Sequence, residues 1–170
     1  MNDAVRSTLI KPSTVRIERL LPGPVERVWA YLTDSKKRAT WLAAGEFDLR
    51  VGGKIELIFD NDSLSEDKPR GGGTRRFEGR ITRLEPNRAL AYTWNWDGKD
   101  SEVLYELAAK GKEVLLTIHH RLPEDGGMIK GVGGGWAVHT GILADQLNGV
   151  KPRPFWSTHD QLMKEFEASL

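Results

Sequence analysis

The order in which apolar periodicity changes along the chain constrains the fold more than any single motif. Thr14-Val15-Arg16-Ile17-Glu18-Arg19-Leu20 alternates apolar and charged side chains, the mark of a half-buried strand. Leu21-Pro22-Gly23-Pro24 turns the chain, and Pro24 suits the first position of a helix, where its missing N–H costs nothing. Val25, Val28, Trp29 and Leu32 then recur at helical spacing and give one apolar stripe. Asp34 or Ser35 can cap a second short helix ending near Trp41-Leu42.

Beyond Gly45 the period changes to two. Strand faces are expected from Ile55, Leu57 and Phe59, from Phe77, Gly79 and Ile81, and from Leu90, Tyr92, Trp94 and Trp96. Two more follow: Val103, Tyr105 and Leu107, then Val114, Leu116, Ile118, His120 and Leu122. Turns fall at Gly52-Gly53, Pro86-Asn87 and Lys110-Gly111-Lys112. Residues 60–73, rich in Asp, Ser, Pro and Gly, read as a long mobile loop. After the turn at 123–127 the spacing is helical again. Trp136 is expected to open a helix with His139, Leu143 and Leu147 on its stripe, closed by Asn148-Gly149. Pro152 and Pro154 interrupt the chain before a terminal helix carrying Phe155, His159, Leu162, Met163 and Phe166.

Strand, two helices, about six consecutive strands and then long helices is the order of an α+β protein. Consecutive strands on short turns pair antiparallel, so a curved sheet of about six to seven strands is expected, with the Trp136 helix as its cover. At 170 residues the chain suits one domain. Residues 1–12 are expected as a flexible N-terminus, 13–150 as the domain, and 151–170 as a helical extension packed on it. Exposed edge strands make a homodimer an open expectation.

Composition narrows the function classes. There is no cysteine, which removes disulfides and thiolate chemistry and suits a reducing cytoplasm. Twenty-five basic residues balance 24 acidic ones, and the short basic runs Lys36-Lys37-Arg38, Arg75-Arg76 and Lys151/Arg153 read as solvated faces, so no nucleic-acid partner is expected. No stretch approaches the ~20 apolar residues of a membrane helix, and the first residues lack a signal-peptide core. The expectation is a soluble, cytoplasmic protein without a membrane partner. No cofactor is called for. Gly131-Val132-Gly133-Gly134-Gly135-Trp136 fails the dinucleotide fingerprint because Trp136 stands where its last glycine belongs. The histidines lack zinc spacing, and Asp60, Asp62, Glu66 and Asp67 lack the calcium-loop pattern, so no metal is expected.

Six tryptophans, several in phase on elements that must pack together, suggest walls around a hollow as readily as a solid core. Trp41, Trp94 and Trp136 are the leading candidates to line it, with Phe59, Phe77, Tyr92, Tyr105 and Leu143 as neighbours; Trp29 is expected to be buried structure. Strand phase points His120 inward and His119 outward, although a bulge would exchange them. His139 lies one turn beyond Trp136. His119, His120 and His139 are therefore the candidate acid–base groups, with a satisfied core histidine as the alternative for each. Gly133 to Gly135 are expected to let the helix approach the sheet or flex at the cavity mouth, and residues 131–135 to act as a gate.

The local strings resemble a known family. Arg16-Ile17-Glu18-Arg19 with Pro24-Val25-Glu26-Arg27-Val28-Trp29 is similar to the first strand and P-x-x-V-W helix of the activator-of-Hsp90-ATPase-like branch of the START/Bet v 1-like (SRPBCC) superfamily. Thr40-Trp41-Leu42, Gly52-Gly53, Phe77-Glu78-Gly79-Arg80-Ile81, Glu85 to Trp94, His119-His120-Arg121-Leu122-Pro123 and Gly135-Trp136 extend the likeness over about residues 13 to 150. The resemblance implies a helix-grip fold, a curved antiparallel sheet wrapped around a long C-terminal helix. It also implies an apolar small-molecule ligand held between them, and its strand-end histidine aligns with His119, so both His119 and His120 stay candidates. A hydrophobic or aromatic small molecule is thus the expected partner. A cyclase- or hydrolase-type enzyme using the histidines is one alternative and a chaperone modulator another. The separate N-terminal chaperone-contact domain of the eukaryotic co-chaperone has no counterpart here, so Hsp90 stimulation is not expected. The discriminating feature is the space between indoles 94 and 136: rings in contact with no void beside them would leave only a surface role.

Overall fold

The computed structural model describes residues 7–11, 13–96, 98–123 and 128–170. Seven strands form one antiparallel sheet: β1 (Thr8–Lys11), β2 (Thr14–Pro22), β3 (Lys54–Phe59), β4 (Arg75–Glu85), β5 (Ala89–Trp96), β6 (Lys99–Lys110) and β7 (Glu113–Arg121). Their spatial order is β1-β2-β7-β6-β5-β4-β3. The first helices, α1 (Val25–Thr33) and α2 (Ser35–Arg38), connect β2 to the opposite edge of the sheet; α3 (Ile129–Leu147) and α4 (Phe155–Ser169) close the chain. This is the helix-grip arrangement, with five strands after the first helices and two before them.

Strand alternation places Val15, Ile17 and Leu21 of β2, Val103 and Tyr105 of β6, and Val114, Leu116 and Ile118 of β7 on the buried face. Arg19 takes the same inward phase and is buried under α3, where its Nε donates to Thr140 Oγ1 at 3.1 Å. At the start of the chain, Thr8–Lys11 pairs with β2, so part of the segment expected to be flexible is an edge strand instead. The other edge, β3, is covered in part by bridges from Ala44 and Phe47 to Ile58 and Ile55. Residues 1–6 and 124–127, and the side chain of Trp96 that was expected to share a face with Trp94, lie outside the described residues.

Local chemistry sets the helix ends. Asp34 caps α2 by accepting from the Lys37 N–H at 2.9 Å. Arg38, fully buried, donates to the carbonyls of Leu32, Thr33 and Gly45 and lies 3.6 Å over the Phe47 ring, which ties the helical pair to the strap that follows it. Trp29 is half-buried against the core rather than enclosed in it.

Two expectations about α3 and its neighbours are corrected. Trp136 does not open the helix, which starts two turns earlier at Ile129. Gly133 and Gly134 make room for α4, not for the sheet: a Cβ on Gly133 would lie 2.3 Å from the Phe166 ring, and one on Gly134 would lie 2.4 Å from Met163 Cγ. Glycine is the residue that lets the two helices meet this closely.

The loop between β3 and β4 is also not free. It is tied along its length to the start of α4. Ser65 Oγ accepts from Phe155 N at 2.8 Å, Asp67 from Ser157 N at 2.9 Å, and Asp62 from Trp156 Nε1 at 2.8 Å. Lys151 pairs with Glu66 and Arg70 with Asp160. Ser65 and Asp67 thus satisfy amides that the first turn of a helix leaves without partners, and Asp67 sits where the helix dipole favours negative charge.

Candidate functional site

A cavity of about 330 Å³ opens between the ends of β3, β4 and β5, the first half of α3, and the start of α4. Its apolar walls are Leu42, Phe59, Phe77, Trp94, Met128, Val132, Trp136 and Phe155. Polar groups are few: Asn61, Arg75, His120, His139 and His159. Gly131 and Gly135 also line it, and a Cβ on either would meet nothing within 4 Å. The missing side chains of these two residues are part of the empty volume.

Trp94 is the centre of the aromatic wall. It stacks on Phe59 (centroids 5.4 Å, planes 18° apart) and on His120 (5.3 Å, 19°), and Phe77 meets it at 5.6 Å and 63°. Trp94 and Trp136 do touch, edge to face at 6.2 Å and 89°, yet the void lies beside their contact. Sheet and helix meet at one point and stay apart at another.

Of the residues expected to form the site, Phe59, Phe77, Trp94, His120, Trp136 and His139 line this cavity. Trp41, Tyr92, Tyr105 and Leu143 belong to the core behind it. Tyr92 and Tyr105 bond to each other, hydroxyl to hydroxyl, at 2.6 Å, and burial pushes Tyr92 up to about 12 and Tyr105 also upward. Trp41 donates its Nε1–H to the Tyr31 carbonyl at 2.8 Å and serves the site only through its own carbonyl. His119 is on the outer face, half-buried, 3.7 Å from Glu106. No bulge interrupts the pairing of β7 with either neighbour, so strand phase decides between the adjacent histidines and points His120 inward.

The two inward histidines differ in what they can do. Trp136 Nε1–H can only donate, so His120 Nδ1, 3.0 Å away, accepts and carries no proton. Its Nε2–H then donates to Ser101 Oγ at 2.8 Å, and the Ser101 hydroxyl donates to the Trp94 carbonyl at 2.9 Å. Both nitrogens of His120 are engaged, the side chain is fully buried, and burial holds its pKa down to about 3. It is a neutral strut joining β5, β6 and β7 to α3.

His139 Nδ1–H donates to the Trp41 carbonyl at 2.8 Å. Burial, with a smaller push from His159, holds its pKa down to about 4 against the opposing effect of that carbonyl. In the neutral ring Nε2 is then an acceptor, and it has no partner among the described residues. The ring packs against Phe59 at 6.0 Å and Phe155 at 5.0 Å.

Sequence reasoning missed the walls contributed by Leu42, Asn61, Arg75, Met128, Val132, Phe155 and His159. The signal for the last two is present, since Phe155 and His159 stand one turn apart on a helix expected to pack on the domain, but the spacing does not say which surface that helix covers. Asn61 and Arg75 flank a loop whose composition says nothing about where it docks. Among the described residues, no group of three or more His, Asp or Glu side chains is placed to hold a metal ion, and no helix is long and apolar enough to cross a membrane.

Comparison with known proteins agrees with this geometry. No curated protein matches the chain in sequence. Among solved structures, the protein encoded by gene BPP1335 of Bordetella parapertussis is 38% identical, with a TM-score of 0.79 over 96% of this chain and 89% of its own. CalU16 of Micromonospora echinospora is 27% identical, with a TM-score of 0.71 over 98% of this chain and 95% of its own. DynU16, from the dynemicin biosynthetic locus, shares the fold at 23% identity and a TM-score of 0.67, over 82% of this chain and 49% of its own. The model of the activator of Hsp90 ATPase homolog 1-like protein family matches residues 22–148. With the seven-stranded sheet gripping α3 and a match over most of its length, the chain belongs to that family, a branch of the helix-grip SRPBCC proteins.

Proposed function

We propose that this protein binds a hydrophobic or aromatic small molecule in the cavity between its sheet and α3, and that binding rather than acid–base chemistry is its task. The observation that carries this is the cavity itself: about 330 Å³, walled by Phe59, Phe77, Trp94, Trp136 and Phe155. Ligand sites are typically concave and mostly apolar, ~300–1,000 Å³ in volume, with a few polar groups to fix orientation. This one sits at the small end of that range, suited to a compact ring system. Burial of an apolar ligand there would contribute roughly 25 cal/mol per Å² before ordering costs.

An acid–base pair built from the sequence-expected histidines would need two of them with exchangeable nitrogens facing the substrate. His120 has both nitrogens committed and His119 is on the other side of the sheet. That leaves His139 as the one sequence-expected histidine that can reach a ligand through a nitrogen.

The reading is tested by titrating the protein with compact aromatic compounds while following tryptophan fluorescence, since Trp94 and Trp136 are both in the wall. The control is Gly135→Leu, which fills the void from a position with open space around it. Saturable changes that Gly135→Leu abolishes, with the fold retained, support the site. Equal binding by the filled variant would place the ligand elsewhere.

A further inference from the structure

We propose that the cavity selects a hydroxylated aromatic ligand, one whose hydroxyl donates a hydrogen bond to His139 Nε2. This rests on the binding role proposed above and specifies the chemistry of its ligand. The cavity wall is apolar except at a few points, and two of its polar atoms, His139 Nε2 and Asn61 Oδ1, are acceptors with no partner among the described residues. His139 is more than nine-tenths buried, and its Nδ1–H is held by the Trp41 carbonyl. That bond fixes the tautomer, so Nε2 presents a lone pair and no proton. Asn61 Oδ1 is a buried oxygen on the same wall, also without a partner among the described residues.

A buried acceptor left unpaired costs about 1–3 kcal/mol. A hydrocarbon or an ether occupying the cavity would shut water off from His139 Nε2 and donate to neither acceptor. A hydroxyl group on a flat ring satisfies one of them while the ring stacks among Phe59, Trp94 and Phe155. His120 does not compete for this role, because its lone pair is spent on Trp136. Sites that hydrogen-bond a ligand hydroxyl reject analogues lacking it far more strongly than apolar pockets reject an extra methylene. The discrimination thus comes from one nitrogen and not from shape.

The probes are 2-naphthol, 2-methoxynaphthalene and naphthalene, with affinity read from tryptophan quenching. The wild-type protein should hold 2-naphthol at least tenfold more tightly than either of the others. In His139→Phe that preference should fall to within about threefold while naphthalene affinity is kept. If the phenylalanine variant does not fold, His139→Asn answers the same question, because its amide still donates to the Trp41 carbonyl but lacks the distal acceptor. A direct readout is the ¹⁵N resonance of His139 Nε2, which should move upfield when 2-naphthol binds and stay put with naphthalene. Equal affinity for the three probes, or a preference for 2-naphthol that survives both variants, overturns the inference and leaves the binding role standing. No binding by any of the three overturns the binding role and the inference with it.

Discussion

Trp136 on α3 donates its indole N–H to Nδ1 of His120 on β7 across 3.0 Å. This single bond fixes the protonation of the imidazole, and through Ser101 it extends to the main chain of Trp94. The bond joins the helix to the sheet where they touch and assigns each of the two inward histidines its role. His120 becomes structure, and His139, one turn along α3 from Trp136, keeps a free acceptor.

Ser101→Ala should therefore destabilise the fold although it removes one oxygen. Ser101 is buried, and its loss leaves the His120 Nε2–H without an acceptor. The expected cost is about 1–3 kcal/mol, the penalty of an unsatisfied buried donor, measured by urea denaturation. No measurable change in midpoint would mean that the imidazole is paired with something other than Ser101.

Stability should fall on mild acidification. Unfolding returns His120 and His139 to the ordinary histidine value of 6.5, whereas folding depresses them to about 3 and about 4. The unfolded chain thus binds more protons below 6.5, and stability rises with pH through this window. The contribution is intact above about pH 6.5 and is lost progressively as the pH falls toward 4. Each histidine supplies a slope on the order of 1 kcal/mol per pH unit. Carboxylates add their own slope, so the diagnostic quantity is the difference between the wild-type protein and His139→Asn. The two denaturation curves should converge as the pH drops from 7 to 4.5; a constant separation would show that His139 is not held neutral.

The loop between β3 and β4 should behave as part of α4. Asp67→Ala removes the acceptor of the Ser157 amide, and Asp62→Ala that of the Trp156 indole. Hydrogen exchange should accelerate at the first turn of α4 in both variants while β5, β6 and β7 keep their protection. Unchanged exchange at residues 155–158 would mean that the loop does not cap the helix.

The fold was legible in the sequence because strand alternation and the helical stripe of α1 are local signals, and Ile55, Leu57 and Phe59 or Val114, Leu116 and Ile118 report their own faces. Phase also pointed His120 inward, whereas the family resemblance favoured His119 and left the pair open. What the sequence did not disclose depends on long-range docking. Nothing near residue 67 says that its carboxylate meets an amide at 157. Nothing near Gly133 says that Phe166 will lie against it. The site was legible where it follows strand phase, as for Phe59, Phe77 and Trp94. It was missed where α4 closes it, because a terminal helix after two prolines gives no local sign of which surface it covers. Tyr92 and Tyr105 were misassigned for a related reason: inward phase places a side chain on the correct face but does not give its distance from the open end.

Gly133 and Gly135 stand on one helix, two residues apart, and alanine at each should act with opposite sign. Replacing a helical glycine by alanine gains about 1 kcal/mol from propensity alone. At Gly135 a Cβ meets nothing within 4 Å, so the gain should be realised in full. At Gly133 the Cβ would come within 2.3–2.6 Å of three atoms of the buried Phe166 ring, so the ring or α4 itself has to shift. Overpacking of that kind costs about 1–3 kcal/mol, which outweighs the gain. Melting temperatures should rise by a few degrees for Gly135→Ala and fall for Gly133→Ala, at about 2–4 °C per kcal/mol for a chain near this size. The comparison bears on the site as well as on the helix. Phe166 rests on Gly133 because α4 lies along α3, and the same docking brings Phe155 and His159 to the cavity wall. Were both variants stabilised alike, α4 would not be seated there, and the cavity would have lost one of its sides.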